Sequence, residues 1–482
     1  MLFDVGSAVR REKMSTVDNA WLRMDSDSNL MMIVAVLMFD RPMEEERFRQ
    51  TIEARLLSYS RFRSRVVQEM TGGAWWHEEP VDLDYHIVRE RLGSASEGNK
   101  AQLERLVSAL SATPLDPSKP LWQIHLVDNC IGEDGKTRQG MIVRIHHCIA
   151  DGIALVGVLL SMFDQAPEAN GRNEPIPVLP EEDNPWLEVM RPVTKATITA
   201  INLSTSLWTK TMWMAADSNK MLGRLTGMGT AASRLTLDAI NLLAMPDDSP
   251  TRLKGKPNGS KQVAWSEPLP LHEVKLIGKA LGGSVNDVLM ASVAGAIGAY
   301  LRAKGDHVPH DTDVRAMVPV NLRKAGNEQK LGNAFGLVPL VLPIGIEDPM
   351  ARLDEVRRRM SELKGGYQAL VAMAMLGVLG ATPKQMQNEI QSYFTRKATA
   401  VMSNVPGPQQ PLYLAGSQLD QIMFWVPQSG DIGIGVSILS YNGGVQFGIV
   451  TDDAIASDPH DIIRRFAPEF EKLVMLALMS AW

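Results

Sequence analysis

The chain has only two cysteines, Cys130 and Cys148, among its 482 residues. A framework of disulfide bonds is therefore excluded, and such sparing use of cysteine fits a reducing compartment. The sequence contains no run of about 18 uncharged apolar residues, so we predict no transmembrane helix. Residues 1–13 carry charges but no apolar core, which argues against a secretory signal.

The sequence also lacks an excess of positive charge and the motifs of several common enzyme classes. Its formal net charge is -6, and nothing in it indicates a nucleic-acid partner. No Gly-rich phosphate loop follows the first predicted strand, so neither a dinucleotide site nor a P-loop is indicated. A Gly-x-Ser-x-Gly elbow and a His-Glu-x-x-His pair are both missing, so no serine hydrolase or zinc protease is predicted.

The length of the chain and its ordinary composition indicate a globular protein of two domains. A chain of 482 residues exceeds one typical hydrophobic core, and 45% of its residues are hydrophobic. Polar stretches rich in proline indicate boundaries near residue 180 and residue 255. We predict an N-terminal extension (1–13), an N-terminal domain (14–180), a helical linker (181–255) and a C-terminal domain (256–482).

Hydrophobic periodicity predicts strands and helices that mix without a strict strand–helix–strand rhythm. Residues 31–40 form an apolar run typical of a buried strand, and residues 82–88 alternate as in a strand. Residues 285–302 predict a long helix, in which Ser284 and Asp287 can form a capping box. These patterns favour a mixed α/β fold.

The strongest chemical signal is the stretch His146-His147-Cys148-Ile149-Ala150-Asp151-Gly152. It follows a predicted strand over residues 140–147 and precedes a predicted helix over residues 152–163. Neighbouring residues on a strand point to opposite faces, so the two histidines are poorly placed to share a metal ion. Because the same geometry separates Cys148 from its neighbour, we interpret this cysteine as packing rather than as a nucleophile.

A single imidazole acting as a general base is the remaining chemical interpretation of this stretch. An imidazole with a pKa near neutrality suits the removal of a proton from an alcohol. Asp151 is placed to lock the loop rather than to touch a substrate, and Gly152 lets the chain turn sharply into the helix. The alternative is that His146 and His147 are two core histidines at a strand end.

The histidine stretch matches the HHxxxDG motif, and the chain resembles the chloramphenicol-acetyltransferase-like acyltransferases. Within that group it is similar to the bacterial wax ester synthase/acyl-CoA:diacylglycerol acyltransferase family. Pro120-Leu121-Trp122 resembles that family's PLW motif, Asn286-Asp287 its ND motif, and residues 403–408 its SNVPGP segment. One departure is Leu30-Met31-Met32, where members commonly carry a Pro-Met-His-type stretch.

The resemblance implies two α/β domains, each a mixed sheet with helices, and an active-site channel between them. It implies that His147 takes a proton from the hydroxyl of a fatty alcohol or diacylglycerol, which attacks fatty acyl-CoA without an acyl-enzyme, a metal or a cofactor. His146 would support His147 or the local backbone, Asp151 would form a structural ion pair with Arg323, and Asn286 would donate to the oxyanion. We also predict that Gly152, Asp287, Pro120 and Trp122 contribute to substrate binding; helix capping by Asn286-Asp287 and strand packing by Pro120–Trp122 are the alternatives.

Residues 185–244 carry six basic and three acidic side chains, a local charge of +3 in a chain that is negative overall. Two interpretations remain open: a peripheral contact with a membrane or lipid droplet, or a helical bridge between the domains. The predicted location is cytoplasmic, with a peripheral contact to the inner membrane or to lipid inclusions. The alternatives to an O-acyltransferase are an amide-forming condensation domain and an inactive lipid-surface binding protein.

Overall fold

The structure is a computed structural model that describes most of the chain outside the segment from residue 169 to residue 240. The described residues are 11–70, 73–93, 98–132, 134–168, 241–242, 244–322, 331–363, 368, 371–373, 375–376 and 384–480. The strands and helices, in chain order, are β1 (Arg11–Lys13), α1 (Thr16–Met24), β2 (Met32–Phe39), α2 (Glu45–Ala54), β3 (Ser64–Gln68), β4 (Ala74–Glu78), α3 (Leu83–His86), β5 (Ile87–Arg91), α4 (Lys100–Ser111), β6 (Trp122–Ile131), β7 (Thr137–His146), α5 (Gly152–Met162), β8 (Lys261–Trp265), β9 (Leu269–Pro270), α6 (Leu271–Ala280), α7 (Val285–Ala303), β10 (Val314–Asn321), β11 (Phe335–Leu342), α8 (Pro349–Leu363), α9 (Lys384–Thr395), β12 (Ala400–Pro406), β13 (Tyr413–Leu414), β14 (Ser417–Trp425), β15 (Ile434–Tyr441), β16 (Gly444–Asp452) and α10 (His460–Ser480).

A six-stranded sheet in the order β13-β14-β2-β7-β6-β5 carries the histidine stretch. Strand β2 lies inside this sheet and is apolar along its whole length because both faces are covered. Ile33 and Ala35 point into one core cluster with helix α5, whereas Val34 and Val36 point into another with helix α4. The two core clusters hold the end of β7 from both sides.

The second sheet has seven strands, of which β11-β10-β12-β15-β16-β8 form the main path. Strands β10, β12 and β15 run parallel, and β15 and β16 form an antiparallel hairpin. Asn442 and Gly443 turn this hairpin with positive φ values of 45° and 79°, which confirms the predicted turn. Helices α7 and α10 pack against each other and share one hydrophobic core with this sheet.

The two sheets confirm the mixed α/β prediction, but they do not follow the order of the chain strictly. The hairpin β13–β14 belongs to the C-terminal half of the sequence, yet β14 pairs with β2, with Met423 opposite Val36. The four boundaries drawn from sequence stay a prediction. Most of the predicted linker over residues 181–255 lies outside the described residues, as do all but three residues of its basic, Trp/Met-rich part (185–244).

Two local predictions need correction. Residues 82–88 are not one strand: Leu83–His86 is a helical turn, because the Asp82 carboxylate accepts from the backbone N–H of Asp84 and caps it. Strand β7, which leads into the histidine loop, begins at Thr137 rather than at residue 140 and ends at His146 rather than at His147.

Among the described helices, no single one is long and apolar enough to cross a membrane, although the bent pair α6 and α7 passes that test when taken together.

Candidate active site

The two histidines occupy the end of β7 and the first position of the loop that follows. His146 is the last residue of the strand and pairs with Met32. The backbone N–H of His147 donates to the carbonyl of Met31 at 2.7 Å, after which the chain turns away from the sheet. Asp151 ends this loop as the N-cap of α5, and its Oδ1 accepts from the N–H of Ala154 at 3.0 Å.

His147 lies in an aromatic pocket built from both halves of the chain. Its ring stacks on Trp21 of α1, with centroids 4.2 Å apart, and lies 5.5 Å from the ring of Phe335 at the start of β11. Burial lowers the pKa of His147 to about 4, against the opposing effect of the Asp151 carboxylate. The ring is therefore neutral at neutral pH and has a free lone pair, as a general base requires.

The side chain of Asn333 lies beside His147. Its Nδ2 donates to the backbone carbonyl of His147 at 2.9 Å. Among the described residues, no donor or acceptor meets hydrogen-bond geometry with Nδ1 of His147. The carbonyl of His147 and the side chain of Asn333 are nevertheless close enough to the ring to raise its pKa in part.

His146 has different neighbours from His147, as expected for adjacent residues at a strand end. Its Nδ1 accepts from the backbone N–H of Cys148 at 3.1 Å, so the ring proton lies on Nε2, 3.8 Å from Asp25 Oδ1. These contacts give His146 a role in holding the loop.

Cys148 is a free, fully buried thiol. Within the described part of the chain, no group of three or more His, Cys, Asp or Glu side chains could hold a metal ion.

Asp151 ties the loop to the C-terminal half of the chain. Its Oδ2 accepts from the N–H of Ala334 at 2.8 Å, and its own N–H donates to the carbonyl of Gly332 at 3.4 Å. The carboxylate thus connects α5 to the segment that precedes β11. Arg323, the expected ion-pair partner of Asp151, lies outside the described residues, so that ion pair stays a prediction.

Asn286 and Asp287 form the start of α7. The capping box is confirmed, because Asp287 Oδ2 accepts from the N–H of Ser284 and the Ser284 hydroxyl accepts from the N–H of Asp287. Asn286 Oδ1 accepts from Asn404 Nδ2 at 2.7 Å. Its own Nδ2 is buried without a hydrogen-bond partner among the described residues. The predicted contacts of Asn286 with an oxyanion and of Asp287 with a substrate remain untested.

Pro120 and Trp122 lie where the chain enters β6. Trp122 is buried, stacks on His86 with centroids 4.2 Å apart, and donates from Nε1 to the carbonyl of Phe62 at 2.9 Å. The backbone N–H of Trp122 bonds to the carbonyl of Pro120 at 2.8 Å. These contacts favour a packing role, and substrate binding by either residue stays a prediction.

An apolar cavity lies between α5 and the six-stranded sheet. Ile145 and Gly152, which flank the histidine loop, both line it, as does Val405 of β12. Its one phenol, Tyr441, is already satisfied: the hydroxyl donates to the carbonyl of Leu419 and accepts from the N–H of Leu412. A cavity with these walls suits a hydrocarbon chain rather than a polar group.

Trp21, Asn333 and Asp18 were not identified from sequence. Asp18 is buried in α1 and accepts from both the backbone N–H and the side-chain Nδ2 of Asn333. These residues lie more than 120 positions from His147 along the chain and belong to no motif that the residues alone reveal. The amphipathic pattern of α1 indicates that Trp21 lies on the buried face of the helix. It does not indicate that Trp21 contacts His147.

Two stretches of the chain match families of known proteins. Residues 14–289 match the family described as "Wax ester synthase/diacylglycerol acyltransferase catalytic domain", and residues 331–474 match the "WS/DGAT C-terminal domain". A Mycobacterium tuberculosis protein named "Probable diacyglycerol O-acyltransferase" is 24% identical over 474 residues, with 96% of each chain covered. A second protein of that organism, also named as a diacylglycerol O-acyltransferase, is 28% identical over 454 residues, covering 91% of this chain and 93% of that one.

Solved structures show the same architecture. The wax ester synthase/diacylglycerol acyltransferase from Marinobacter aquaeolei is similar with a TM-score of 0.66 and 19% identity, covering 97% of this chain and 100% of that chain. The first condensation domain of the CDA synthetase is similar with a TM-score of 0.56 and 15% identity, covering 96% of this chain and 97% of that one. The predicted two-domain, chloramphenicol-acetyltransferase-like fold is therefore confirmed.

Proposed function

Because the chain belongs to the wax ester synthase/diacylglycerol acyltransferase family, we propose that it transfers a long-chain acyl group from acyl-CoA to the hydroxyl of diacylglycerol, of a fatty alcohol, or of both. The reaction breaks a thioester and forms an oxygen ester, with free CoA as the second product. The names of the mycobacterial relatives favour diacylglycerol as acceptor, and the name of the Marinobacter structure includes both acceptor classes.

The apolar cavity beside the histidine loop is the observation that carries this proposal. Its lining includes Ile145 and Gly152, which flank the histidine loop, and its walls are apolar. A long-chain substrate can bury its tail there while its reactive end lies at the imidazole. Burying each methylene contributes about 0.8 kcal/mol, so a cavity that opens to admit the tail favours longer chains.

In the proposed mechanism, His147 is the general base and no acyl-enzyme forms. Nε2 takes the proton of the acceptor hydroxyl as its oxygen attacks the thioester carbon. Asn286 Nδ2, a buried donor without a partner among the described residues, is a candidate to stabilise the oxyanion. The tetrahedral intermediate collapses by breaking the carbon–sulfur bond, and the imidazolium returns its proton to the CoA sulfur.

The same proposal covers the partners and location of the protein. Every proton moves through His147, so the mechanism requires neither a metal nor a cofactor beyond the acyl-CoA substrate. A peripheral contact with a membrane or lipid inclusions, through the basic residues within 185–244, remains part of the proposal, because the acceptors and the ester products are lipids.

Release of free thiol from palmitoyl-CoA tests the proposed function. The purified protein is assayed alone, with dioleoylglycerol, with hexadecanol and with an amine acceptor, and the lipid products are identified by mass spectrometry. We expect release that depends on a hydroxyl acceptor. Release with the amine alone supports a condensation-type enzyme, and no release under any condition supports a lipid-binding protein.

Replacing His147 by glutamine tests the general base. One well-placed general base contributes roughly 10²- to 10⁴-fold, so the acceptor-dependent rate of H147Q should fall by that factor. H125Q is the matched control, because His125 is also buried but lies on β6 between Glu90 and Gln123. A near-normal rate for H147Q would contradict the mechanism.

A further inference from the structure

A buried carboxylate of the N-terminal half meets a histidine of the C-terminal half. Glu104 lies on α4, and its Oε2 is 3.1 Å from Nε2 of His460, the first residue of α10. The side chain of Glu104 is 5% exposed, whereas that of His460 is 56% exposed. Oε1 of Glu104 has no partner at hydrogen-bond geometry among the described residues. The pair thus joins two distant parts of the chain, and water reaches it from the side of the imidazole.

We propose that Glu104 and His460 form a proton-dependent latch between the two halves of the chain. The latch holds α4 against β8 and α10 while the pair keeps at least one proton, and it loosens when both groups have lost theirs. This role goes beyond the proposed acyl transfer and does not depend on it.

The latch belongs to an interface that both halves build. Strand β8 ends the main path of the seven-stranded sheet, and α4 packs along it. The backbone N–H of Val263 in β8 donates to the hydroxyl of Ser108 in α4 at 3.0 Å. Leu103 of α4 shares a hydrophobic core with Trp265 of β8. The carboxylate of Glu104 lies at this packed contact, so it gains full hydration only when α4 moves away from β8.

The number of protons matters because the interface tolerates a neutral pair better than an uncompensated charge. With one proton, the pair is either a carboxylate facing an imidazolium or two neutral groups that share a hydrogen bond, so no net charge is buried. With no proton, the carboxylate of Glu104 faces a neutral imidazole. Burying a carboxylate without a paired charge is costly, and separation of α4 from β8 relieves that cost by admitting water.

The surroundings of the pair place its titration near neutral pH. Burial raises the pKa of Glu104 to about 7, although Lys100 and the backbone N–H of Trp265 oppose this rise. Burial also lowers the pKa of His460. The charged groups that act on the pair are Lys100 and Arg105 of α4, Glu267 after β8, and Asp458 and Arg464 around the start of α10. Lys100 is already paired with Glu267 at 2.8 Å, so it does not replace the imidazolium as partner.

The contact between α4 and β8 should weaken as pH rises, because the pKa of Glu104 is higher in the closed interface than in a hydrated one. With a pKa of 4.5 when open and about 7 when closed, the opening equilibrium rises about tenfold from pH 6 to pH 8. The lowered pKa of His460 acts in the opposite direction below its ordinary value of 6.5. We therefore expect a net rise of roughly three- to tenfold.

Hydrogen exchange of the backbone amides of β8 measures this opening. The protection of peptides that cover Val263 and Trp265 is read by mass spectrometry at pH 6, 7 and 8, with the intrinsic exchange rate divided out. E104Q keeps the shape of the side chain but cannot ionise, so its protection should not change with pH. E90Q is the matched control, because Glu90 contacts His125 at 3.3 Å inside the six-stranded sheet. It should keep the wild-type pH dependence.

Replacing the histidine tests the other side of the latch. H460A removes the partner of the carboxylate and should speed exchange in β8 roughly two- to tenfold at pH 6, the range expected for one lost hydrogen bond. H272A, which replaces an exposed histidine of α6, should leave that exchange unchanged.

Equal protection of wild-type β8 at pH 6 and pH 8 would overturn the latch, as would a wild-type pH dependence in E104Q. Unchanged exchange in H460A would overturn it equally, because His460 would then hold nothing. If E104Q does not fold, E104A decides by the same comparison, since it also lacks the carboxyl group. None of these measurements uses a substrate, so a failure of the proposed acyl transfer leaves them interpretable.

Discussion

The pH dependence of the reaction should report the environment of His147. Burial against Trp21 lowers the pKa of the ring to about 4, whereas an exposed histidine has the ordinary value of 6.5. At pH 5.5 a ring with the lowered pKa is about 97% in the base form, and a ring with the ordinary pKa about 9%. The profile of kcat/KM should therefore stay flat from pH 8 to about pH 5.

Replacing Trp21, whose indole stacks on His147, tests whether burial sets the pKa of the ring. In W21A, water reaches the imidazole, so its pKa rises towards 6.5 and kcat/KM at pH 5.5 should fall as much as tenfold relative to pH 8. W21F keeps an aromatic ring on His147 and should keep most of the flat profile. All three proteins are assayed by thiol release from palmitoyl-CoA with one acceptor, so ionisation of the substrate affects each of them equally.

A wild-type profile whose acid limb is centred near pH 6.5 would refute this reasoning, because it would mean that the base is not the buried ring. A flat profile in W21A would likewise show that the indole does not control the pKa. Equal loss of activity at every pH in W21A would instead indicate disordered geometry, which circular dichroism and the KM value identify.

The remaining predictions concern stability and chain length. Since the folded-state pKa of His147 is depressed, the unfolded chain binds more protons between pH 6.5 and about pH 4, and stability is lost as pH falls through that window. At pH 5 the loss should be about 2 kcal/mol for wild type and absent from this source in H147Q, which urea unfolding of both proteins at pH 5 and pH 8 checks. For the cavity, a Cβ added at Gly152 meets nothing within 4 Å, so G152L should fold and add an apolar side chain to the lining of the cavity. Its kcat/KM should fall at least tenfold with palmitoyl-CoA but little with butyryl-CoA, and equal effects on both chain lengths would contradict the assignment of this cavity to an acyl or alkyl tail.

The features that could be predicted from sequence are those that neighbouring residues determine. The apolar run at Met32–Phe39 is buried on both faces and shows this directly in its composition. The capping box of Ser284 and Asp287 depends on a spacing of three residues. In each case the structure depends on residues that are close together in the sequence, so the local sequence pattern is enough to predict it.

The features that could not be predicted depend on contacts between distant parts of the chain. Nothing near Asn333 indicates that its amide bonds the carbonyl of His147, 186 positions earlier, or a carboxylate 315 positions earlier. The indole of Trp21 is visible in the sequence as a core residue, but its partner is not. The prediction of one strand over residues 82–88 was wrong for another reason. Polar and apolar residues alternate there as in a strand, but the side chain of Asp82 caps a helical turn and so favours that turn instead.

The geometry of the catalytic loop is consequently a property of the whole chain rather than of the motif. The motif residue Asp151 holds α5 with one oxygen and the C-terminal half with the other. The C-terminal segment 332–334 in turn contacts the loop through Gly332, Asn333 and Ala334. Strand β14, also from that half, completes the sheet on which β7 lies. An N-terminal half alone would keep every residue of HHxxxDG but lose the contacts that orient His147, so matching the motif is necessary for the proposed chemistry and not sufficient for it.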